Sequence, residues 1–520
     1  RGVPEGKLGS LRGQLSANGT LGAKESTPDQ QQPVALELEL AEFAEASSSL
    51  NIRQLELRSG DEVLLRGGGL LTWGEKTSGA SRDPFTAELE ITEIADLLPA
   101  GGLPALIPGA PDVSGPLSGR ISWESSPSSK AESTLELRSP ALQLRFTGAS
   151  GETALLGPAR LEGLARLRGG SLAIEQLTLA DEAAAFTLEG YGSVSKGAET
   201  SGSDSPLLDL SAEIHLAEIS GLSGPLSALL GMRLPLRAGS LRGTAEWKGP
   251  LDSPTLSSQL LLEEGVLALG APLPAATAVV AELQLNPGQL KIERLEGELG
   301  ASPFTLVGHI DLPRGASPEL DLQLEGDNLL FARSRTLRVR ADADLTLQGT
   351  VEELHAKGTL LLRGGRLTAP VEFLDFSRRG ASTRSEAARG LQIFSLPEPP
   401  LSNMRFDVQV RTAEPFSIDN NVAKGAVRPS LQLRGTGEVP LLEGEVFLDP
   451  TVVSLPATRL QVNSGRVDFD RSDPFYPTLA IQGSSRIRGI DIEARVAGRF
   501  DEPEIFLSST PAQPGEDLVY

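Results

Sequence analysis

The longest of several strictly alternating stretches is Leu337–Gln348, with the sequence LRVRADADLTLQ, and these stretches decide the fold. Its odd-numbered residues are apolar, and its even-numbered residues are polar or charged. Because successive side chains of a β-strand point to opposite faces, this period of two predicts a strand with one apolar face. Similar alternation occurs over Val34–Leu40, Leu208–Leu216 and Ile490–Val496. One-sided alternation is typical of antiparallel sheet whose other face is wetted.

Glycine-containing turns separate the alternating stretches. Gly169-Gly170, Gly364-Gly365 and Ser464-Gly465 predict hairpins, since glycine tolerates the positive φ that tight turns need. A looser repeat also emerges, in which a strand ends near a glycine and a proline introduces the next strand, as in Gly435…Pro440 and Gly498…Pro503. The same hairpin therefore recurs, and the sheet is predicted to be a meander.

Helical signals are few. Thr92 is placed to cap a short helix over Glu93–Leu98, and Pro225–Leu230 has its proline at a favourable first-turn position. Hydrophilic segments predict long loops rather than domain linkers where alternation resumes after them, and these are Glu124–Lys130, Ser195–Ser205 and Ser377–Arg389. The predicted fold class is therefore all-β: an elongated, coiled antiparallel sheet of repeated amphipathic strands with few short helices.

Composition excludes several classes of function. With 69 acidic and 47 basic residues the net charge is −22, which would repel a phosphate backbone, so no nucleic-acid partner is expected. The absence of cysteine excludes disulfides and thiolate catalysis. Aromatic residues make up only 4 %, so the interior is predicted to be aliphatic. The chain begins at Arg1 without a leader and stops at Tyr520 as an apolar run begins, so we expect an internal fragment whose membrane anchors lie elsewhere.

No motif of an enzyme or a metal site stands out. The three histidines, His215, His309 and His355, are scattered and form no HExxH pair. The acidic pairs Asp342/Asp344 and Asp468/Asp470 are predicted to lie on solvated strand faces rather than around a metal ion. No phosphate-binding glycine loop or nucleophile elbow occurs either. We therefore predict that the protein is not an enzyme and has no cofactor.

An ordered set of short motifs runs from Asn420 to the end of the chain. In order along the chain, they are Asn420-Asn421-Val422 with Gly425, Leu431–Thr436, Pro440 with Gly444–Val446, Ser464–Phe469, Pro474 with Pro477–Leu479, Val496–Gly498, Pro503–Pro511 and Glu516–Leu518. This order resembles the C-terminal domain of the TamB family, the translocation and assembly module subunit of the AsmA-like superfamily. The domain prediction is accordingly a repeated β-groove region over 1–419 and a TamB C-terminal-type domain, truncated at its end, over 420–520.

The resemblance implies a place in a cell envelope. Members of this family are anchored in the inner membrane and cross the periplasm of Gram-negative-type bacteria, so the anchor of this protein is expected outside the chain. They partner an outer-membrane assembly barrel of the TamA or BamA type, and are linked to protein secretion, outer-membrane assembly and lipid transport. The resemblance thus implies phospholipid or apolar polypeptide as the cargo, shielded in a hydrophobic groove.

The strand pattern itself also favours a groove. Roughly 30–35 strands about 4.8 Å apart would make a ladder on the order of 150 Å long, which a right-handed twist would coil into a taco-like trough. The alternative is a filled core, as in a structural or adhesive envelope protein of β-repeats, and the pattern leaves both open. The candidate groove-lining residues are Leu337, Val339, Leu345, Leu347, Leu431, Leu433, Val446, Leu448, Val467, Phe469, Leu479, Ile481, Ile490, Ile492, Val496, Ile505 and Leu507.

Overall fold

A computed structural model shows a protein built almost entirely of β-strands, which confirms the all-β fold class. The residues that it describes are 13–21, 32–44, 49–59, 62–72, 85–97, 103–105, 111–124, 132–147, 153–168, 171–181, 186–195, 206–230, 235–251, 253–313, 316–368, 395–397, 401–421, 423–454, 459–487, 489–500 and 502–510. The three predicted long loops fall almost wholly outside these ranges.

The strands follow one another along the chain with few other elements between them. In the first half they are β1 (Gly13–Leu21), β2 (Gln32–Ala44), β3 (Ser49–Ser59), β4 (Glu62–Thr72), β5 (Phe85–Ile91), β6 (Asp112–Ser114), β7 (Leu117–Glu124), β8 (Glu132–Thr147), β9 (Thr153–Arg168), β10 (Ser171–Asp181), β11 (Phe186–Ser195), β12 (Leu207–Leu216), β13 (Leu236–Pro250) and β14 (Thr255–Leu267). In the second half they are β15 (Ala276–Asn286), β16 (Gln289–Leu299), β17 (Pro303–Asp311), β18 (Glu319–Arg333), β19 (Leu337–Thr350), β20 (Leu354–Leu367), β21 (Arg405–Thr412), β22 (Phe416–Asp419), β23 (Ala423–Gly435), β24 (Pro440–Leu448), β25 (Thr451–Ser454), β26 (Arg459–Phe469), β27 (Thr478–Ile487), β28 (Ile490–Arg499) and β29 (Glu502–Thr510).

Helices are short, as the sequence predicts. The α-helix α1 spans Ser223–Leu230, where Pro225–Leu230 was predicted to be helical. A 3-10 helix over Ile94–Leu97 lies within the predicted Glu93–Leu98, and further 3-10 turns are Leu103–Ala105, Ile219–Leu222 and Leu401–Asn403. At the first of these turns, Glu93 Oε1 accepts hydrogen bonds from the backbone N–H groups of Ala95 at 3.2 Å and Gly115 at 2.6 Å.

The chain divides into two compact units. Unit 1 comprises Arg1–Leu234, Ala238–Leu262 and Gln284–Pro287, and unit 2 comprises Pro235–Arg237, Glu263–Leu283 and Gly288–Tyr520. Within unit 1, β1 to β5 pair antiparallel in chain order, and β5 pairs with β7. Strands β6 and β7 lie end to end along β8, and pairing then follows chain order to β13. Unit 1 is thus the predicted antiparallel meander.

Unit 2 is a second ladder with one parallel step. Strands β16 to β20 pair antiparallel in chain order. Strand β20 then pairs parallel with β21 and β22, which pair antiparallel with β23. Strand β23 pairs with β24 and β25, these pair with β26, and chain order continues to β29. A parallel step requires a crossover connection rather than a tight turn, and the sequence between Leu367 and Arg405 is long enough for one.

Burial along β19 confirms the alternation of the stretch that decided the fold. Leu337, Ala343 and Leu345 are buried, whereas Arg338 and Asp344 between them are exposed. The register pairs these apolar residues with apolar or small residues of β18 and β20. Residues directly opposite each other in a ladder project to the same face, so one side of the sheet is apolar over successive strands.

The predicted turns are confirmed where a glycine lies at or just after the end of a strand. Gly435 ends β23 with φ of 79°, and Pro440 begins β24. Likewise, Arg168 and Ser171 pair directly on either side of the predicted Gly169-Gly170 hairpin. The predicted hairpins at Gly364-Gly365 and Ser464-Gly465 are wrong, because β20 and β26 run through them.

At these two positions the glycines belong to irregular points within a strand. The register of β20 against β19 shifts between Arg340 and Ala341, opposite Gly364 and Leu362. The register of β26 against β27 shifts between Val462 and Ser464. A bulge leaves one residue unpaired and favours glycine close by. Glycine within an alternating stretch is therefore compatible with either a bulge or a hairpin turn.

Irregular points lie side by side across unit 2. The first is the register shift between β18 and β19 at Gly326/Leu329, and the next is the bulge in β20. The gap between β21 and β22, the gap between β24 and β25 and the register shift after Val462 follow across the sheet. The two strand breaks contain Pro415 and Pro450, which have no N–H to donate to a ladder. Because bulges bend strands and increase their twist, the sheet of unit 2 is bent along this line.

Unit 1 contains a buried carboxylate that sequence reasoning missed. Glu56 Oε1 accepts hydrogen bonds from Gln54 Nε2 at 2.8 Å and from Arg66 Nε at 3.1 Å, and its Oε2 accepts one from Arg58 Nη2 at 3.1 Å. The Gln54 hydrogen bond, then the bond and charge of Arg58 and the charge of Arg66, hold the pKa of Glu56 below its usual range. Arg66 lies directly opposite Glu56 on β4, so the register brings this pair together.

Candidate functional site

All of the predicted groove-lining residues lie on one face of unit 2, which we call the apolar face. They belong to β19, β23, β24, β26, β27, β28 and β29, and the register joins them into rows across these strands. One row runs through Pro429, Val446, Val467, Leu479 and Gly498, and the next runs through Val427, Leu448, Gly465, Ile481, Val496 and Ile505. Because opposite residues share a face, each row projects to the same side of the sheet.

Two further rows connect the apolar residues of β19 to the same face. One runs through Leu345, Gly358, Val408, Leu433 and Leu442, and the other runs through Ala343, Leu360, Val410, Leu431, Gly444 and Phe469. Val408, Val410 and Leu442 were not among the predicted residues, although β21 alternates as clearly as its neighbours. The parallel step at β20–β21 therefore leaves the apolar face continuous within unit 2.

Burial varies strongly over the apolar face. Five of the predicted residues are buried, namely Leu337, Leu345, Leu431, Leu433 and Ile492. Partly buried are Val339, Leu347, Val446, Leu448, Val467, Phe469, Leu479, Ile481, Ile490, Val496 and Leu507. Ile505, on the last strand described, is 54 % exposed. Most of this face is thus covered only in part by the rest of the chain.

A compact apolar cluster fills one part of the face. Leu460, Val462 and Ala494 are buried together, and Leu448, Val453, Ile481 and Leu507 pack against them as partly buried neighbours. Gly483 allows this approach, because a Cβ there would lie 2.9 Å from Leu460 Cγ. The rows through Val446, Val467 and Leu479 lie beside this cluster, and their side chains remain half-buried. Filled and open regions therefore occur on the same face.

The opposite face is charged. Arg428 Nε lies 3.0 Å from Asp449 Oδ2, Arg434 Nε lies 3.0 Å from Glu443 Oε2, and Arg466 Nη1 lies 3.3 Å from Glu445 Oε1. Exposed pairs of this kind contribute little to stability, but they keep this face solvated. Unit 2 is thus amphipathic across its sheet, with aliphatic side chains on one side and ion pairs on the other.

Asp342 and Asp470, two of the acidic residues singled out in the sequence, have structural partners. Asp342 Oδ1 accepts a hydrogen bond from the backbone N–H of Asn328 at 2.9 Å, and its Oδ2 accepts one from Arg363 Nε at 2.6 Å. Asp470 Oδ1 accepts bonds from the backbone N–H and the hydroxyl of Ser472, and these hold the pKa of Asp470 below its usual range. Within the described residues, no group of three or more metal-ligating side chains occurs.

The histidines do not converge. His215 and His355 are exposed on separate strands, and His309 Nε2 lies 3.8 Å from Asp311 Oδ2. In the part of the chain that the structure describes, no helix has the length and hydropathy needed to cross a bilayer. The apolar face is therefore the feature of unit 2 that offers a chemically distinct surface.

Comparison with known proteins gives a family for this part of the chain. Residues 293–520 match the family model of the TamB C-terminal domain, and the match contains β17 to β29 and thus all of the predicted groove-lining residues. No curated protein and no solved structure matches. The match includes the motifs that begin at Asn420 and extends upstream of them. Residues 293–520 are thus similar to the TamB C-terminal domain, the family that the order of motifs from Asn420 resembles.

Proposed function

We propose that the apolar face shields phospholipid acyl chains, or apolar segments of outer-membrane proteins, on their way through the periplasm. The observation that carries this proposal is the set of half-buried rows through Val446, Val467 and Leu479 and through Leu448, Ile481 and Val496. These aliphatic side chains are in register over successive strands yet keep part of their surface accessible. An acyl chain lying along a row would replace water there.

The energetics suit an extended apolar cargo. Burial of one methylene is worth about 0.8 kcal/mol, so several methylenes in contact with a row would hold an acyl chain without any polar recognition. The rows run across the strands, and neighbouring strands are about 4.8 Å apart, so a row over four strands spans roughly 15 Å. Charged pairs on the opposite face keep the outside of the sheet in water.

The match of residues 293–520 to the TamB C-terminal domain supports an envelope setting. The family belongs to the envelope of Gram-negative-type bacteria, is not enzymatic and works with partners of the TamA type. We extend this to a role of the present protein in protein secretion, outer-membrane assembly and lipid transport. It would be anchored in the inner membrane outside this chain and partner an outer-membrane assembly barrel.

The test compares charges placed on the two faces of one strand. Leu479 and Ile481 lie on the apolar face of β27 and are half-buried, whereas Ala480 between them is exposed on the opposite face. Native mass spectrometry of the protein purified from bacteria is expected to show bound phospholipid for the unaltered chain and for Ala480→Glu. The double variant Leu479→Glu/Ile481→Glu is expected to lose most of that lipid. Circular dichroism would show whether both variants keep their fold.

A structural or adhesive protein with a filled core is the competing function. The buried cluster of Leu460, Val462 and Ala494 favours it, because that part of the face is already packed. On this alternative the unaltered protein is a lipid-free monomer, and the double variant unfolds because two carboxylates enter a packed interior. A protein that carries no lipid before any substitution would contradict the shielding proposal.

A further inference from the structure

Arginines gather at the hairpin that joins β18 to β19. Arg333 ends β18, Arg335 lies in the turn, and Arg338 follows on β19. Arg333 lies directly opposite Arg338, and Arg338 lies directly opposite Arg366 of β20. Three arginines therefore occupy one cross-strand row, and all three side chains are exposed. We call Arg333, Arg335, Arg338 and Arg366 the arginine row.

The charges of the arginine row are only partly balanced. Arg366 is bonded to the Asp419 carboxylate. Among the described residues, no carboxylate lies within 4.0 Å of the guanidinium groups of Arg333, Arg335 or Arg338. Like charges directly opposite each other in a sheet are destabilising, and this concentration occurs in a chain of net charge −22. The row is thus an isolated basic patch with an electrostatic cost.

A neighbouring arginine shows what a structural role looks like here. Arg340 Nη1 donates to the Ser302 hydroxyl at 3.1 Å and to the Asn328 carbonyl oxygen at 2.7 Å, and its Nη2 donates to the Gly300 carbonyl oxygen at 2.9 Å. Its donors are used to hold the turn before β17 and the bulge of β18. Arg333, Arg335 and Arg338 have no such bonds within the described residues, so their donors are left for a ligand.

The arginine row lies at one end of the sheet of unit 2, on the face opposite the apolar face. Arg338 follows Leu337, which is buried on the apolar face and lies directly opposite Leu367. The Ser334–Thr336 turn ends the strands at this point, so the row lies at the rim of the sheet of unit 2. Because successive side chains of a strand point to opposite faces, the guanidinium groups project away from Leu337 and stand exposed at this rim.

We propose that the arginine row binds the phosphate groups of anionic phospholipids at a membrane surface. Guanidinium groups present several N–H donors in a planar fork that suits phosphate oxygens. A bound phosphate would also offset the repulsion between Arg333, Arg338 and Arg366. The inference does not require that acyl chains bind the apolar face, because the headgroup contact has its own readout.

The experiment measures binding of the full chain to vesicles. The unaltered protein is expected to co-sediment with phosphatidylcholine vesicles that contain phosphatidylglycerol, and not with phosphatidylcholine alone. The triple variant Arg333→Gln/Arg335→Gln/Arg338→Gln is expected to bind the anionic vesicles on the order of a hundredfold more weakly, since each basic residue near such a surface adds about a factor of five to ten. Added salt should weaken binding by the unaltered protein.

A charge-matched control uses exposed arginines that already have carboxylate partners. Arg294, Arg405 and Arg466 pair with Glu296, Glu353 and Glu445. Their triple glutamine variant changes the net charge equally and is expected to bind anionic vesicles like the unaltered protein. Equal loss in both triple variants, or no loss in the arginine-row variant, would overturn the proposal.

Inorganic phosphate distinguishes the source of the bound group. If inorganic phosphate at constant ionic strength displaces the protein from vesicles, the arginine row recognises single phosphate groups, whether free or part of a lipid. Resistance to phosphate together with loss in the arginine-row variant would assign it to the lipid surface. Native mass spectrometry separates this proposal from the shielding function, because the arginine-row variant should keep apolar cargo even when it no longer binds anionic vesicles.

Discussion

At the scale of the residue, two isoleucines on the neighbouring strands β27 and β28 differ in their surroundings. Ile492 of β28 is only 7 % exposed, whereas Ile481 of β27 is half-buried, although both lie on the apolar face. The neighbours of Ile492 across the ladder are Ser485 and Ser509. A substitution at Ile492 therefore reports on packing, and a substitution at Ile481 reports on the accessible part of the face.

Replacing Ile492 by glutamate is expected to lower the free energy of unfolding by several kcal/mol, because the carboxylate would be buried without a partner. Glu493→Ile, on the exposed face of the same strand, is expected to change it by less than about 0.5 kcal/mol. Urea unfolding of both variants measures this difference. Equal stability of the two variants would mean that the Ile492 side chain is not enclosed in solution.

The Glu56 carboxylate should make stability depend on pH. Its pKa is lowered in the folded state, so its contribution is present above the unfolded-state pKa of about 4.3 and is lost as the pH falls through the lower folded value. Glu56→Gln is therefore expected to unfold at lower urea concentration than the unaltered protein at pH 7, and the gap should narrow below about pH 4. A gap that is constant from pH 7 to pH 3 would exclude this linkage.

At the scale of the element, β20 shows how a pair of glycines serves a bulge. A Cβ added at Gly365 would collide with the Phe416 ring of β22 and would lie 2.7 Å from the carbonyl oxygen of Arg338. A Cβ added at Gly364 would meet nothing within 4 Å. A side chain at Gly364 would therefore meet no steric obstacle. Gly365, in contrast, makes room for the Phe416 ring where β20 pairs in parallel with β22.

Gly365→Ala is accordingly expected to destabilise the protein by about 1–3 kcal/mol, the usual cost of overpacking. Gly364→Ala, one residue away, is the matched control and is expected to leave stability within about 0.5 kcal/mol of the unaltered protein. Thermal unfolding of the two variants provides the comparison. If Gly364→Ala were the more harmful substitution, the position of Phe416 over β20 would be contradicted.

At the scale of the whole molecule, one local pattern produces both units. Each is a ladder of amphipathic strands, and unit 1 follows chain order with a single interruption at β6. Unit 2 adds a parallel step, two broken strands and a line of bulges, and it contains the family match. The domain boundary predicted at 419/420 stays a prediction. The features that distinguish unit 2 are departures from the repeat rather than the repeat itself.

The amino-acid sequence by itself determined which face each side chain of a strand occupies. Every predicted groove-lining residue, from Leu337 to Leu507, lies on one side of unit 2, because side chains alternate strictly along each part of a strand that no bulge interrupts. Only the tertiary structure decided how deeply each of these residues is buried. Val462 and Ile481 each lie opposite a glycine, Gly483 and Gly465, yet Val462 is fully buried and Ile481 only partly, so burial depends on packing beyond the neighbour in the ladder.

The tertiary structure also decided which glycines turn the chain and which interrupt a strand. Gly435 and Gly365 follow similar local sequence, yet one ends β23 and the other lies under Phe416 within β20. The arginine row likewise exists only because the register sets Arg333 and Arg366 opposite Arg338 on its two sides. Alternation is encoded within a strand, whereas register is set by packing between strands, and for that reason the first could be predicted and the second could not.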